Sequence, residues 1–264
     1  ALAAEPTSGL QNFVKEKELE EDTFFDVALE DWFYLNVQTA YAYGLMEGKG
    51  AGAFDPNGHV TLAETITVAD RIHGIYYANG DKIAAGTPWY APYVAYAQEN
   101  GILKETYSDY QRAATREEFA VILGAALPDE ALPAVNTVED GAIPDVEEGA
   151  SYYEAVYRLY RAGILTGNDS QGTFDPQSQI RRSEVAAIVS RMADSSLRES
   201  VCLAVEKEQT STGSEPDYPV YYTVKFESNG GEAVARQQVR HGQCVQEPAA
   251  PARENYVFEG WYAD

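Results

Sequence analysis

Three stretches of the chain carry the same spacing of apolar and polar positions. Aligned on Gly44, Gly101 and Gly163, the segments WFYLNVQTAYAYGLM, WYAPYVAYAQENGIL and SYYEAVYRLYRAGIL place apolar or small residues at i, i+4 and i+7: Phe33/Val37/Ala40, Tyr90/Val94/Ala97 and Tyr152/Val156/Leu159. That period predicts a helix in each. The Gly followed by Leu or Ile predicts a left-handed cap, with the next apolar residue folded back on the last turn. A loop follows, then a second apolar stripe: Thr65/Val68/Ala69/Ile72, Phe119/Ile122/Leu123/Ala126 and Val185/Ile188/Val189/Met192. Two of these second helices open with Thr61/Glu64 and Thr115/Glu118, the spacing at which hydroxyl and carboxylate each satisfy a free amide of the first turn. The third has Arg181 in place of the Thr, so a weaker cap is expected there.

The loops repeat as well. GAFDPNGHVTLAE from Gly52 and GTFDPQSQIRRSE from Gly172 both set a Glu nine residues after the Asp, at Asp55/Glu64 and Asp175/Glu184. YSDYQRAATREE is a worn copy with Asp109 and Glu118 at the same offset. The chain therefore divides into an N-terminal extension (1–23) and three helix-loop-helix units, at 24–77, 78–140 and 141–197. A helix pair of this size cannot bury its own apolar stripe, so the units are expected to pack on one another.

The residues FFDV at Phe24 to Val27 with Trp32 six residues after the Asp, IPDV at Ile143 to Val146, the Phe-Asp-Pro loops, and TREE and RRSE as forms of a Thr-Arg-Ala-Glu signature have a known likeness. The stretch 24–195 resembles three tandem surface-layer homology domains. The resemblance implies a pseudo-threefold assembly with a central helical bundle and grooves between neighbouring units. It also implies non-covalent anchoring of exported proteins to secondary cell-wall polysaccharide, often bearing pyruvate ketals.

From about Leu197 the helical period stops. EKEQTSTGSEPDYP is polar and rich in Gly, Ser and Pro, so 198–219 reads as a linker. VYYTVKF then alternates, with Val220, Tyr222, Val224 and Phe226 on one face, and SNGG follows as a turn. FESNGG, EPAAPARENYVF and GWYAD make 220–264 similar to the internalin-type B repeat of surface proteins, which stops here before its last strands. That likeness implies a small, grasp-like module acting as a stalk or contact element. The expected fold class is thus mainly α, a pseudo-threefold assembly of three helix-loop-helix units, with a small mostly-β C-terminal module.

Composition narrows the function. The 264 residues include 19 basic and 42 acidic side chains, a formal charge of -23. Such a balance disfavours nucleic acid and anionic lipid surfaces, both of which need basic contacts. No apolar run reaches the roughly 18 residues that a membrane span needs, so no membrane insertion is expected. The opening ALAAEP is like the small-residue end of a secretion signal, which suggests a secreted protein at the cell wall or cell surface. Cys202 and Cys244 are too few for a disulfide framework; they either pair in an oxidising setting or stay as two thiols. His59, His73 and His241 have no metal-ligand spacing, and no nucleophile or phosphate-loop motif occurs. No catalysis, metal or cofactor is expected within this chain; a catalytic domain would lie beyond Asp264. GNDSQG at Gly167 to Gly172 has the flavour of a calcium loop, but Gln179 stands where the bidentate Glu belongs, so a turn is expected.

Seven residues are candidates for ligand contact: Asp26, Trp32, Trp89, Arg116, Asp145, Tyr152 and Arg182. Arg116 and Arg182 stand in the first turn of their helices, where a cation opposes the helix dipole. Beside free first-turn amides a guanidinium makes a pocket for a carboxylate. The alternative is a salt bridge with a neighbouring Glu. The resemblance assigns this Arg to the ligand and leaves unit one, which has Leu62 there, with a weak or dead pocket. Trp32 and Trp89 either stack on sugar rings or fill the core; unit three has Ser151 in that place, with Tyr152 beside it. Asp26 and Asp145 either cap the following helix or accept sugar hydroxyls, and unit two has Ile83 instead. The expected partner is secondary cell-wall polysaccharide. The losses at Leu62, Ile83 and Ser151 favour a second reading, a degenerate scaffold that binds other surface proteins or itself.

Overall fold

The computed structural model describes residues 7–20, 23–78, 83–169, 171–205, 221–240, 245–254 and 256–261. Six helices lie where the apolar periods predict them: α1 (Tyr34–Ala42), α2 (Leu62–Tyr76), α3 (Ala91–Glu99), α4 (Arg116–Gly124), α5 (Tyr153–Arg161) and α6 (Arg182–Ala193). The first helix of each unit ends identically. Gly44, Gly101 and Gly163 have φ of 68, 72 and 71°, a backbone region that an L side chain enters only under strain. The amides of the next residues, Leu45, Ile102 and Ile164, then donate to the carbonyls of Ala40, Ala97 and Leu159 at 2.9, 2.8 and 2.9 Å. All three apolar side chains are buried. This is the cap anticipated from Gly-Leu and Gly-Ile.

The second helices start on capping boxes. The Glu64 amide donates to Thr61 Oγ1 at 3.2 Å and the Thr61 amide to Glu64 Oε2 at 2.9 Å. Thr115 and Glu118 repeat the pair at 3.3 and 2.9 Å. In the third unit the Arg181 amide still donates to Glu184, at 2.8 Å. A guanidinium has no acceptor to return the bond, so this box is half formed.

The units are not self-contained. The close helix packing pairs α3 with α2, α5 with α4 and α1 with α6, so each first helix lies on the second helix of a different unit, in cyclic order. The loops before the second helices close a ring. Val60 N–H donates to the Ile180 carbonyl at 3.1 Å, Ile180 N–H to Ala114 at 3.4 Å, and Ala114 N–H to Val60 at 2.9 Å. All three are buried. The first two amides of each second helix, which a helix cannot satisfy internally, also cross to another unit. Leu62 and Ala63 donate to Arg112 and Tyr110, Arg116 and Glu117 to Ser178 and Pro176, and Arg182 and Ser183 to Gly58 and Pro56, all at 2.9–3.0 Å.

Flanking segments join this body. The Gly9 amide and the Asn12 side chain both donate to the Tyr76 carbonyl at 2.9 Å, and Phe13 is buried. After α6, β2 (Cys202–Leu203) pairs in parallel with β1 (Thr137–Val138). Asn136 ties that segment down by donating to the Glu199 carbonyl at 2.9 Å and accepting from the Val201 amide at 3.0 Å. The stretch read as a linker thus begins as a strand against the helical body.

In the tail, β3 (Tyr221–Val224) pairs antiparallel with β4 (Gln237–Arg240), with Tyr222 opposite Val239. Asn229 and Gly230, at φ 47 and 87°, make the turn expected at SNGG. Phe226 and Phe258 both meet Trp261 edge-on, at 5.3 and 5.2 Å between centroids. That is a small core, and Tyr221, Tyr256 and Val257 stay exposed. Val220 lies outside the described residues.

Because each apolar stripe is covered by a different unit, residues 24–195 are expected to open as one cooperative block in native-state hydrogen exchange. The tail, with few residues for a core, should exchange far sooner. A helix pair from one unit that stays protected alone, or a tail as protected as the helices, would contradict this.

Candidate functional site

The site is built on the Phe-Asp-Pro loops. Asp55 and Asp175 have φ of 60 and 59°, a conformation that needs support in a non-glycine residue. Asp26 supplies it in unit one: its two carboxylate oxygens accept from the Phe54 and Asp55 amides at 2.8 and 2.7 Å. Asp145 does the same for Phe174 and Asp175, at 2.8 and 2.6 Å. Neither Asp caps the helix that follows it, since no side-chain cap forms at α1 or α5. The capping alternative is therefore set aside for both.

Arg116 and Arg182 come from the neighbouring second helices and grip the same loops from the other side. Arg116 Nε donates to the Phe174 carbonyl at 2.7 Å, its Nη1 lies 3.1 Å from Glu184, and its guanidinium sits 5.3 Å from the Phe174 ring centroid. Arg182 Nε donates to the Phe54 carbonyl at 2.7 Å, its Nη2 to the Glu47 carbonyl at 2.5 Å, and its guanidinium sits 4.7 Å from the Phe54 ring. Its Nη1 is 4.0 Å from Glu64. Both side chains are buried, at 7% and 6% exposure. The salt bridge to a neighbouring Glu is thus what forms. Beside both Arg residues the first two helix amides are already donated to loop carbonyls of another unit, and in α4 the third is donated to the Thr115 cap.

Each capping Glu is itself a target of this network. Glu184 receives Arg116, and Glu64 receives Arg182 together with Lys49. In unit one the matching residue is Leu62, wholly buried, and it offers no charge to Glu118. Arg112, from the preceding loop, pairs with Glu118 instead and lies 5.4 Å over the Tyr107 ring. Burial pushes Glu64 and Glu118 up, but the hydrogen bonds and charges of Lys49 and Arg112, with the cap amides, hold both below the usual 4.5. Burial likewise lowers Arg182, against the pull of Glu64, Asp55 and Asp26.

The aromatic residues divide differently. Trp32 and Trp89 are 65% and 47% exposed, which overturns the core alternative for both. Trp32 meets Phe33 edge-on at 5.5 Å, and Trp89 meets Tyr90 at 5.7 Å. Tyr152 is half-buried, its ring 6.4 Å from that of Phe174. It borders a groove of 890 Å³ between α4 and α5, whose walls also include Leu103, Lys104, Tyr107, Val121 and Arg158. Of the seven sequence candidates, only Tyr152 lines this groove. Asp145, Arg116 and Tyr152 gather around Phe174; Asp26 and Arg182 gather around Phe54.

Lys104 and Tyr107 escaped the sequence reading because they fall in the worn loop, where neither a helical period nor the Phe-Asp-Pro motif marks them. The pair Tyr107/Tyr110 was the available signal. Burial, with the nearby Glu118, pushes the Tyr107 phenol up to about 12, so it remains a neutral donor at ordinary pH. GNDSQG is a turn, as expected: Asp169 accepts from the amides of Gln171 and Thr173 at 2.9 and 3.0 Å and from the Thr173 hydroxyl at 2.6 Å. Cys244 lies outside the described residues, and so does the question of its pairing with Cys202.

Known proteins share these features. Residues 23–66 and 142–186 match the S-layer homology domain, and 222–264 match the Listeria-Bacteroides repeat domain. The two S-layer homology matches fall on the first and third units, end within the first turns of α2 and α6, and leave out α3 and α4. A cell surface protein of Thermoanaerobacter kivui is 28% identical over 119 residues, 45% of this chain and 14% of its own length. Cell surface glycoprotein 1 of Acetivibrio thermocellus is 28% identical over 162 residues, 55% of this chain and 7% of its own. A Gly-rich membrane protein of Evansella cellulosilytica is 46% identical over 43 residues, 16% of this chain and 5% of its own. The chain therefore spans a small part of these relatives. Its S-layer homology segments and its likeness to cell surface proteins associate it with the cell surface. Among the described residues no helix is long and apolar enough to cross a membrane.

Arg182→Ala is expected to lower stability by about 2–4 kcal/mol, since it strips two carbonyls and a buried ion pair at once. Arg182→Lys should recover less than half of that, because an ammonium cannot serve both carbonyls and the ring together. Chemical denaturation checks both, and a change under about 0.5 kcal/mol for Arg182→Ala would contradict the clasp. Glu64 and Glu118, lowered in the folded state, contribute stability present above pH 4.5 and lost as the pH falls through their folded values. Glu64→Gln and Glu118→Gln should each flatten the acid limb of a stability–pH curve.

Proposed function

We propose that this chain is a non-catalytic anchoring module of an exported protein, that its helical body is three surface-layer homology units about a pseudo-threefold axis, and that it binds secondary cell-wall polysaccharide in the grooves between units. The middle unit, 78–140, is a diverged member of the set. The ring of amides at Val60, Ala114 and Ile180 and the cyclic packing of the helices support that arrangement.

One observation carries the binding reading: the groove at the junction of units two and three is bordered by aromatic, cationic and hydroxyl side chains together, among the carboxylates of Glu105, Glu117, Glu118, Asp129 and Glu154. Tyr107 and Tyr152 offer ring faces to sugar C–H groups, Ser151 offers a hydroxyl, and the exposed Lys104 offers an ammonium to an acidic substituent such as a pyruvate ketal. Trp32 and Trp89, not spent on the core, are the stacking surfaces at the other junctions. Arg116, Arg182, Asp26 and Asp145 pin the Phe-Asp-Pro loops, which lie outside this groove, and would meet a ligand at those loops through the donor and acceptor positions left over. Recognition of a polyanion by a chain of charge -23 rests on such local cations.

A second reading has its own support. Phe25, Leu29, Trp32 and Leu35 are all 62–78% exposed within eleven residues of unit one. An apolar surface of that kind suits another surface protein.

The chain should sediment with wall sacculi that retain their secondary polysaccharide and stay in solution with acid-stripped peptidoglycan. Equal binding to both would remove the polysaccharide reading and promote the second. Tyr152→Ala with Lys104→Ala should weaken binding by roughly tenfold or more, since each loses a stacking or charge contact of about 1 kcal/mol, while a melt run alongside reads the separate loss of Tyr152 packing on Phe174. Calorimetric titration with pyruvylated and plain disaccharides separates the two contributions.

A further inference from the structure

Three positions, one per unit, lie where the helices of different units cross. The ninth residue of each second helix is Asp70, Gly124 or Ser190, and the eighth residue before each cap glycine is Asn36, Tyr93 or Ala155. At the α4–α5 crossing Gly124 faces Ala155, and a methyl group on the glycine would lie 3.5 Å from the Ala155 Cβ. At the α6–α1 crossing the Ser190 hydroxyl lies 3.0 Å from the Asn36 carbonyl, and 2.7 Å from the Ala186 carbonyl of its own helix, with one proton to share between them. Extended to the α2–α3 crossing, the same register predicts Asp70 against Tyr93.

Asp70 is only 2% exposed, and among the described residues neither of its carboxyl oxygens has a hydrogen-bond partner. An ionised carboxylate in that state would carry the full penalty of desolvation. A carboxyl that keeps its proton has instead a donor, as Ser190 has. We propose that Asp70 is a protonated acid latching unit one to unit two through the Tyr93 carbonyl, and that its ionisation loosens the α2–α3 crossing.

Titratable neighbours fit a neutral acid. Burial pushes Asp70 up to about 8, with no charged neighbour contributing. From α3 it faces Tyr96, whose phenol is raised by burial and by Asp70 itself. On α2 it is followed by His73, which burial lowers and which sits 2.8 Å from the Tyr96 hydroxyl through Nδ1. The other elements packed on α2, namely α4 and the turn Leu10–Asn12, add no charge to its titration. Because the folded value is raised above the ordinary 3.8, the latch contributes fully at low pH, weakens as pH rises, and is spent once pH passes about 8.

The test uses the full chain with Asp70→Asn and Asp70→Ser, the latter copying unit three. Melting temperature is followed from pH 5 to 9, and hydrogen exchange, corrected for intrinsic rate, at α3 and α5. The wild type should lose more of its melting temperature over that range than either variant. Protection of Ala91–Glu99 should fall about tenfold between pH 7 and 9 while Tyr153–Arg161 keeps its own. Parallel pH profiles in all three proteins would overturn the latch. So would a wild-type Asp70 carboxyl carbon resonance that titrates near pH 4, a reading that needs no variant to fold.

Discussion

The structure depends on one exchange of backbone hydrogen bonds, the closed ring in which Val60, Ala114 and Ile180 each donate to the next unit and accept from the other. An α-helix leaves its first amides without partners, and burying them unmet is costly. Here the first two amides of α2, α4 and α6 are met by loop carbonyls of a different unit. The helix starts therefore cannot be assembled one unit at a time. The same order is repeated one layer out, where α3, α5 and α1 lie on α2, α4 and α6.

The buried arginines follow from that closure. Each Phe-Asp-Pro loop holds an Asp at positive φ, pinned on one side by Asp26 or Asp145 and on the other by Arg182 or Arg116. A guanidinium suits this position because its flat fork can serve carbonyls and a carboxylate while its face lies against Phe54 or Phe174. The capping Glu of the neighbouring helix completes the pair, so one carboxylate both starts a helix and joins two units. Where Leu62 replaces the Arg, the charge for Glu118 comes from Arg112 in the loop. Unit one thus keeps the junction by packing.

With the cations drawn inward, the outer surface is left to aromatic rings, carboxylates and a few exposed amines. Trp32 and Trp89 stand in solvent, and the groove between α4 and α5 opens beside Tyr152. An exposed ring that contributes little to a core suits stacking on a saccharide. The β tail is made the same way, with a core of Phe226, Phe258 and Trp261 and tyrosines left outside.

The sequence by itself determined the six helices, the glycine caps of the three first helices and the two capping boxes, because period, Gly-Leu and Gly-Ile pairs and Thr-x-x-Glu spacing act within a few residues. It also marked the loop repeats and the turn at Asn229–Gly230. It did not determine which helix covers which stripe, since any unit's apolar face suits any other's. Nor could it choose between a core and a solvent place for Trp32, or foresee that Asp26 spends both oxygens on amides 28 and 29 residues away. Lys104 and Tyr107 joined the groove only through the α4–α5 junction. Tertiary structure decided these points, because burial and hydrogen-bond partners here come from residues tens of positions apart, where local spacing carries no information.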